Sequence, residues 1–402
     1  MVIRESYLKT LRSVKDINLI KVVTGVRRSG KSTLLGLFRD ELEEEKNAKV
    51  IAYNLEEKEN EQFLNDADTF YNQIMSEIDP KVMNYIFIDE VQMVPEFERM
   101  LDSLYVKPYT DIYVTGSNAY MLSSDIATIL TGRYIEVKMQ PLSFGEFVKF
   151  FPDGSNIYLL FEQYMRYGGF PEAANMLVQG AEEEIPHYLE AVYDTIMEKD
   201  IKKRKNIRNM DDFRRVYLYC LDNIGSITSS NRIANVLNDS YGNVDRKTVG
   251  EYLQALVDCF LLYPAERYDI RGKEILRTGE KYYSVDLGLT DTLLGRPSQA
   301  NIGHRLENVV FMELNRRYGN IKIGKNYDKE IDFVVKNRDG EIEYYQVSQT
   351  VASDETFKRE LSALRNTGDY YRKTILTMDP LETSDNGIVR KNIVNWLLEG
   401  QG

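Results

Sequence analysis

Cysteine, histidine and tryptophan are all scarce in this 402-residue chain, which holds two, two and one of them. Cys220 and Cys259 lie far apart with no C-x-x-C spacing, which argues against a disulfide framework and against a zinc site. His187 and His304 have no partner at metal-ligand spacing, so each reads as structural. The single tryptophan, Trp396, falls in an apolar stretch, Ile393 to Leu398, and reads as a packing residue of a C-terminal helix. No apolar run approaches the roughly 18 residues that a membrane span requires. The first residues, MVIRESYLKTLRSVKD, are charged where a signal peptide needs an apolar core. These absences predict a cytoplasmic setting and no membrane partner. Basic charge is short as well: 51 Lys and Arg against 63 Asp and Glu give a net charge of −12. That excludes a protein coating nucleic acid over its whole surface, but not one with a local basic face.

What is present is an ordinary globular composition, 43% hydrophobic and 28% charged, on a chain long enough for two or three domains. Its most informative stretch is Gly25-Val26-Arg27-Arg28-Ser29-Gly30-Lys31-Ser32-Thr33. This satisfies G-x-x-x-x-G-K-[ST]. It follows an apolar run, Ile20 to Val23, that reads as a buried strand, and precedes apolar residues at helical spacing from Thr33 to Leu42. Strand, glycine loop and helix in that order are the context of a phosphate-binding loop. The glycines let backbone N–H groups turn inward, and the helix start adds the positive end of its dipole. Gly25, Arg28, Ser29, Gly30, Lys31, Ser32 and Thr33 are therefore the expected ATP-binding residues. Lys31 is expected to reach the β- and γ-phosphates, and Ser32 to ligate Mg²⁺.

Ala48 to Asn54 reads as a second strand, and Tyr85-Ile86-Phe87-Ile88-Asp89-Glu90 as a buried strand ending in two acids. In a parallel sheet such acids arrive beside the phosphate loop. Asp89 is expected on Mg²⁺, and Glu90 as the group that orients or deprotonates the attacking water. The next strand, Asp111 to Thr115, runs into Gly116-Ser117-Asn118. A polar residue there suits a sensor of the γ-phosphate; Asn118 is the first choice, with Ser117 the alternative and a plain strand-closing turn the bland reading. Arg133, before the strand-like Ile135 to Met139, has two readings. It is either an ordinary surface arginine or a catalytic one that stabilises charge on the γ-phosphoryl group, in cis or from a neighbouring subunit.

Taken together, GVRRSGKSTL, YIFIDEVQ, TGSNAYML and LTGRY resemble a widespread prokaryotic family of AAA-type P-loop ATPases. Its members carry GxRRxGKS[TS]L, a strand ending in DEVQ, and TGSN followed by an AGR-like triplet. The resemblance continues through Pro141 to Phe147 and Tyr167 to Glu172, and covers nearly the whole chain. This chain has Thr-Gly-Arg where many relatives have Ala-Gly-Arg, which leaves Arg133 in place. The resemblance implies ATP and Mg²⁺ as cofactors. It also makes a homo-oligomer plausible, since AAA-type modules often place an arginine at a neighbour's site. It implies little about the biological role, because the C-terminal region of the family is commonly described only as a domain of unknown function.

The expected organisation is α/β, with an AAA-like P-loop NTPase parallel sheet over residues 1–150, a helical lid or linker over 151–209, and two further modules. Within the linker, Lys199 to Arg215 carries eight basic and three acidic residues. It is either a solvated surface or a contact patch for phosphate backbone or an acidic partner. Over 210–300, a helix after Met210, a second from Ser230 to Leu237 and a third from Asp245 to Phe260 precede two strand-like segments, Leu261 to Arg267 and Glu274 to Leu276. That is the plan of a winged helix. Its third helix offers Arg246, Lys247, Glu251 and Gln254, a mixed set, and its wing Arg267, Arg271 and Lys273. DNA contact and plain packing are both open, with packing favoured.

Over 301–402 a helix from His304 to Tyr318, a strand at Lys329 to Val335 and another at Ile342 to Ser348 resemble the PD-(D/E)xK, restriction-endonuclease-like superfamily. In active members the positions of Glu307 and Asp332 bind metal, and the next strand supplies E-x-K. Here that strand has Gln346 and Ser348, so the lysine charge is absent, which weighs against efficient cleavage. Lys325 or Lys329 are candidates to replace it. The expected function is a Mg²⁺-dependent ATPase whose nucleotide state controls an arm that binds DNA or a protein partner. The alternatives are an ATP-gated metal-dependent nuclease and a nucleotide-dependent binding switch with little hydrolysis.

Overall fold

The computed structural model describes residues 2–119, 129–202, 207, 209–241, 244–295, 302–353, 361–365, 367–385 and 387–399. Residues 120–122 of the TGSNAYML stretch, and 203–206 and 208 of the basic run, lie outside the described residues. The chain divides into two compact units, one of residues 1–141 with 258–260, the other of 142–257 with 261–402.

In the first unit α1 (Glu5–Ser13) precedes β1 (Ile20–Thr24), α2 (Lys31–Glu43), β2 (Ala48–Asn54), α3 (Ala67–Glu77), β3 (Met83–Asp89), α4 (Phe97–Tyr105), β4 (Thr110–Gly116) and β5 (Tyr134–Lys138). The five strands form one sheet in the order β2-β3-β4-β1-β5, every neighbouring pair parallel. Strands so placed are covered on both faces and read as continuous apolar runs, which is how Ile20–Thr24 was legible. Alternation within the runs divides the core. Ile86, Ile88, Ile112 and Val114 pack with Phe70 and Ile74 of α3 and Met100 and Leu104 of α4. Tyr85, Phe87 and Tyr113 face the other way, toward Leu8 of α1 and Leu34 and Phe38 of α2. Burial of each such side chain is worth roughly 1.5–3 kcal/mol, and together they fix the strand ends on which the site depends.

The second unit begins with helices: α5 (Phe144–Val148), α6 (Ile157–Tyr167), α7 (Pro171–Val178), α8 (Ile185–Ile196), α9 (Met210–Asp222), α10 (Ser230–Tyr241) and α11 (Arg246–Asp258). Ser143 and Glu146 close a reciprocal capping box at the start of α5. After β6 (Leu262–Asp269) and β7 (Glu274–Ser284) come α12 (Leu287–Leu294) and α13 (Ile302–Tyr318). They are followed by β8 (Ile321–Asn326), β9 (Lys329–Lys336), β10 (Ile342–Val347), β11 (Arg372–Thr377), β12 (Thr383–Asp385), β13 (Ile388–Asn392) and α14 (Ile393–Leu398). The strands make a single eight-stranded sheet, ordered β12-β13-β11-β10-β9-β8-β6-β7. The division expected at residue 300 therefore falls between β7 and β8, two strands that share one sheet through β6. Strand β7 also runs eight residues past the expected end at Leu276, because Tyr282 and Tyr283 beyond Gly279 are buried. Trp396 of α14 packs at 5.9 Å from the Tyr345 ring, under the guanidinium of Arg317. Among the described residues no helix is long and apolar enough to cross a membrane.

Candidate functional site

The parallel order β3-β4-β1 brings three strand ends to one edge of the first sheet. At about 4.8 Å between strands, the loop after β1 and the acids after β3 lie about 10 Å apart, with the end of β4 between them. The loop conformation is imposed by its glycines. Gly25 has φ +147°, and a Cβ there would meet the Met139 carbonyl oxygen at 2.0 Å. Gly30, at φ 98°, is the left-handed residue that opens α2. Arg28 is also left-handed, at φ 67°, and is exposed. Lys31 is buried and folds back over the loop, donating to the carbonyl oxygens of Gly25 at 3.0 Å and Val26 at 3.2 Å. Ser29 Oγ is buried with no hydrogen-bond partner, an open polar position inside the loop. Ser32 and Thr33 face outward from the first turn of α2.

Across the edge, Thr115 of β4 ties both acids down. Its hydroxyl donates to the Asp89 carboxylate and accepts the Glu90 N–H at 2.8 Å. Glu90 is left-handed, at φ 55°, and 5% exposed. Its carboxylate accepts from Ser117 Oγ at 3.1 Å and from the Gln92 amide. Arg27 of the loop completes the link: it pairs with Glu56 at 2.8 Å and lies 3.7 Å from Glu90 Oε2. Arg27, Thr115 and Gln92 were not singled out by sequence reasoning. The pattern gave Arg27 as an unspecified position of the glycine motif, and nothing in sequence couples it to Glu90. Ser117, not Asn118, holds the acid. Asn118 is fully buried and its amide donates to Cys259 Sγ at 3.6 Å, a residue that clusters with this unit.

Arg133 lies at the opposite end of β1 from the glycine loop. Its carbonyl accepts the N–H of Ile20, the first residue of β1, whereas the loop follows the last. The intervening strand is about 16 Å long. The Arg133 guanidinium instead pairs with Asp102 of α4 and lies over the Tyr105 ring at 5.4 Å.

In the second unit Glu307 and Asp332 do come together, around a lysine that sequence reasoning missed. Lys281 and Tyr283 share a face of β7, and Glu330 and Asp332 share one of β9, by the two-residue period of a strand. Lys281 Nζ lies 3.0 Å from Glu307 Oε1 and 2.6 Å from Glu330 Oε1. Tyr283 donates to the same Glu307 oxygen at 2.6 Å. Burial opposes the Lys281 charge, but Glu307, Asp332 and Glu330 outweigh it and raise the ammonium above the ordinary lysine range. Burial, then the Glu307 charge, pushes the Asp332 carboxyl well above its usual range. Lys329, an expected substitute cation, points instead to Ser362 Oγ at 2.6 Å. Among the described residues no group of three or more His, Cys, Asp or Glu is placed to hold a metal ion. His304 meets the Ile224 carbonyl, and His187 is exposed beside Glu184.

Residues 18–148 match an AAA domain family, and residues 158–300 match a domain of unknown function, DUF8612. An uncharacterized protein of Haemophilus influenzae is 38% identical over 407 residues, spanning 99% of each chain. The uncharacterized protein MJ1544 of Methanocaldococcus jannaschii is 28% identical over 345 residues, or 81% of this chain and 74% of that one. The Walker-type ATPase PABY2304 of Pyrococcus abyssi superposes with a TM-score of 0.50 at 16% identity, covering 73% of this chain and 96% of that one. That last likeness is one of fold.

Proposed function

We propose that this chain, which belongs to one family with the uncharacterized Haemophilus influenzae protein and matches an AAA domain over residues 18–148, is a Mg²⁺-dependent ATPase whose nucleotide state controls its second unit. The observation that carries this is a charged contact from the glycine loop to the strand-end acid: Arg27 lies 3.7 Å from Glu90 Oε2. The residues fit a nucleotide. Gly25 and Gly30 supply the positive-φ backbone that turns the loop, and Ser29 Oγ is buried with no hydrogen-bond partner among the described residues. Lys31 exchanges the Gly25 and Val26 carbonyls for β- and γ-phosphate oxygens. Ser32 and Asp89 would hold Mg²⁺, which supplies charge neutralisation between the phosphates. Glu90, fixed by Ser117 and Gln92, orients the attacking water and takes its proton.

Two further readings follow. Arg133, at the far edge of β1, serves a nucleotide only in a neighbouring copy, so the trans role is the one we carry forward, with a homo-oligomer as its premise. Helices α9–α11 with the β6–β7 hairpin read as a winged helix merged into a nuclease-like sheet, an arm for DNA or a protein partner.

The test is the steady-state ATP hydrolysis rate of the full chain, with and without duplex DNA at two salt concentrations, using Lys31→Ala as the blank. Hydrolysis at least 100-fold above that blank is expected. Stimulation by DNA that fades with salt assigns the arm to nucleic acid, and indifference to DNA assigns it to a protein. Hydrolysis no faster than the blank overturns the ATPase reading.

A further inference from the structure

We infer that the Lys281 ammonium stands where the nuclease resemblance implies a divalent cation, and that it closes the Glu307–Glu330–Asp332 cluster to metal. The ammonium is fixed between two carboxylates, 3.0 Å from Glu307 and 2.6 Å from Glu330, on a side chain 4% exposed. Those separations suit N–H donors. A Mg²⁺ ion needs near-octahedral oxygen ligands at about 2.0–2.1 Å.

One oxygen each of Glu307 and Asp332 is already engaged. Glu307 Oε1 receives both Lys281 and the Tyr283 hydroxyl. Asp332 Oδ2 receives the Val347 N–H at 2.7 Å. Gln346, at the place of the missing acid, turns its amide oxygen to the backbone N–H of Asp332 at 3.3 Å. A divalent ion entering beside the ammonium would be repelled by its positive charge in a buried setting, where screening by solvent is weak.

A relocated catalytic lysine would be arranged differently. It would stand beside the water to be activated and leave the carboxylates to the metal; here it binds the carboxylates themselves. The cluster thus holds an internal cation in place of a metal for cleavage. This inference is independent of the ATPase reading.

The experiment is Mn²⁺ binding to the nucleotide-free full chain, followed by electron paramagnetic resonance of free Mn²⁺. In the wild-type chain the isotherm should be unchanged by Asp332→Asn. Lys281→Ala should gain one site, at least tenfold tighter than any in the wild type, and lose it again in the Lys281→Ala/Asp332→Asn double variant. A wild-type Mn²⁺ site that disappears in Asp332→Asn overturns the inference, and that arm does not require Lys281→Ala to fold. A folded Lys281→Ala chain with no new site overturns it too, because something other than the ammonium would then exclude the metal.

Discussion

Each unit buries a lysine at the centre of its polar cluster, and the two are held by different chemistry. Lys31 donates to the backbone carbonyls of Gly25 and Val26, which carry no net charge. Lys281 donates to the carboxylates of Glu307 and Glu330. A carbonyl partner satisfies the ammonium's hydrogen bonds while leaving its charge available to a phosphate. Carboxylate partners neutralise it on the spot. The same residue type therefore lies against backbone carbonyls in one unit and against carboxylates in the other. The acids are held differently too: Glu90 by Ser117, Gln92 and an arginine it shares with Glu56, Glu307 by Tyr283 and a lysine it shares with Glu330.

The comparison breaks first at Glu90. If its contacts were merely structural, like those of Glu307, replacing it would leave turnover intact. Glu90→Gln keeps an oxygen that can accept from Ser117 but cannot take a proton from water, so the hydrolysis rate should fall by about 10²–10⁴. ATP binding measured by calorimetry should persist. A variant that still turns over at the wild-type rate removes Glu90 from the chemistry.

A smaller effect is expected at Arg27, the residue that joins the loop to the acid. Arg27→Met keeps the buried stem and removes the charge that offsets Glu56 and Glu90. Uncompensated, those carboxylates repel the phosphates, and ATP affinity should drop about tenfold, or roughly 1.4 kcal/mol. Unchanged affinity would mean that Arg27 resembles Lys281, a cation used up by its neighbours.

The first unit was legible because its signals are local. Ile20–Thr24 and Met83–Asp89 are covered on both faces, so their sequences are mostly apolar, with Lys21 and Asn84 as interruptions, and the glycine loop sits directly between strand and helix. The Lys281 cluster was illegible for the opposite reason. It joins β7, α13 and β9 across some fifty residues, and its lysine lies past Arg277-Thr278-Gly279, which reads as the end of a hairpin. Lys325 and Lys329 lie close to Asp332 in sequence, whereas the cation of the cluster comes from the β6–β7 hairpin. Arg133 illustrates a different gap. A motif gives the order of residues along the chain, but only strand direction tells which edge of the sheet each one occupies.

Asp286 sharpens the comparison within the second unit, since it is a buried carboxyl with no cation such as Lys281 against it in its hydrogen bonds. Its oxygens accept the N–H groups of Gly169 at 2.6 Å and Leu289 at 2.8 Å. Burial outweighs these backbone bonds and pushes the carboxyl from its ordinary 3.8 up to about 6. The folded state therefore binds more protons than the unfolded chain between those values. Stability conferred by this group is present below pH 3.8 and lost as pH rises to about 6, by ~3 kcal/mol in all. Asp286→Asn keeps an amide oxygen for one backbone N–H and cannot ionise. Urea unfolding at pH 4 and pH 7 should show a variant whose stability falls less with rising pH than the wild type's, by that amount. Equal slopes would mean that the backbone N–H groups alone carry the charge, and that a buried acid of this unit does not need a lysine after all.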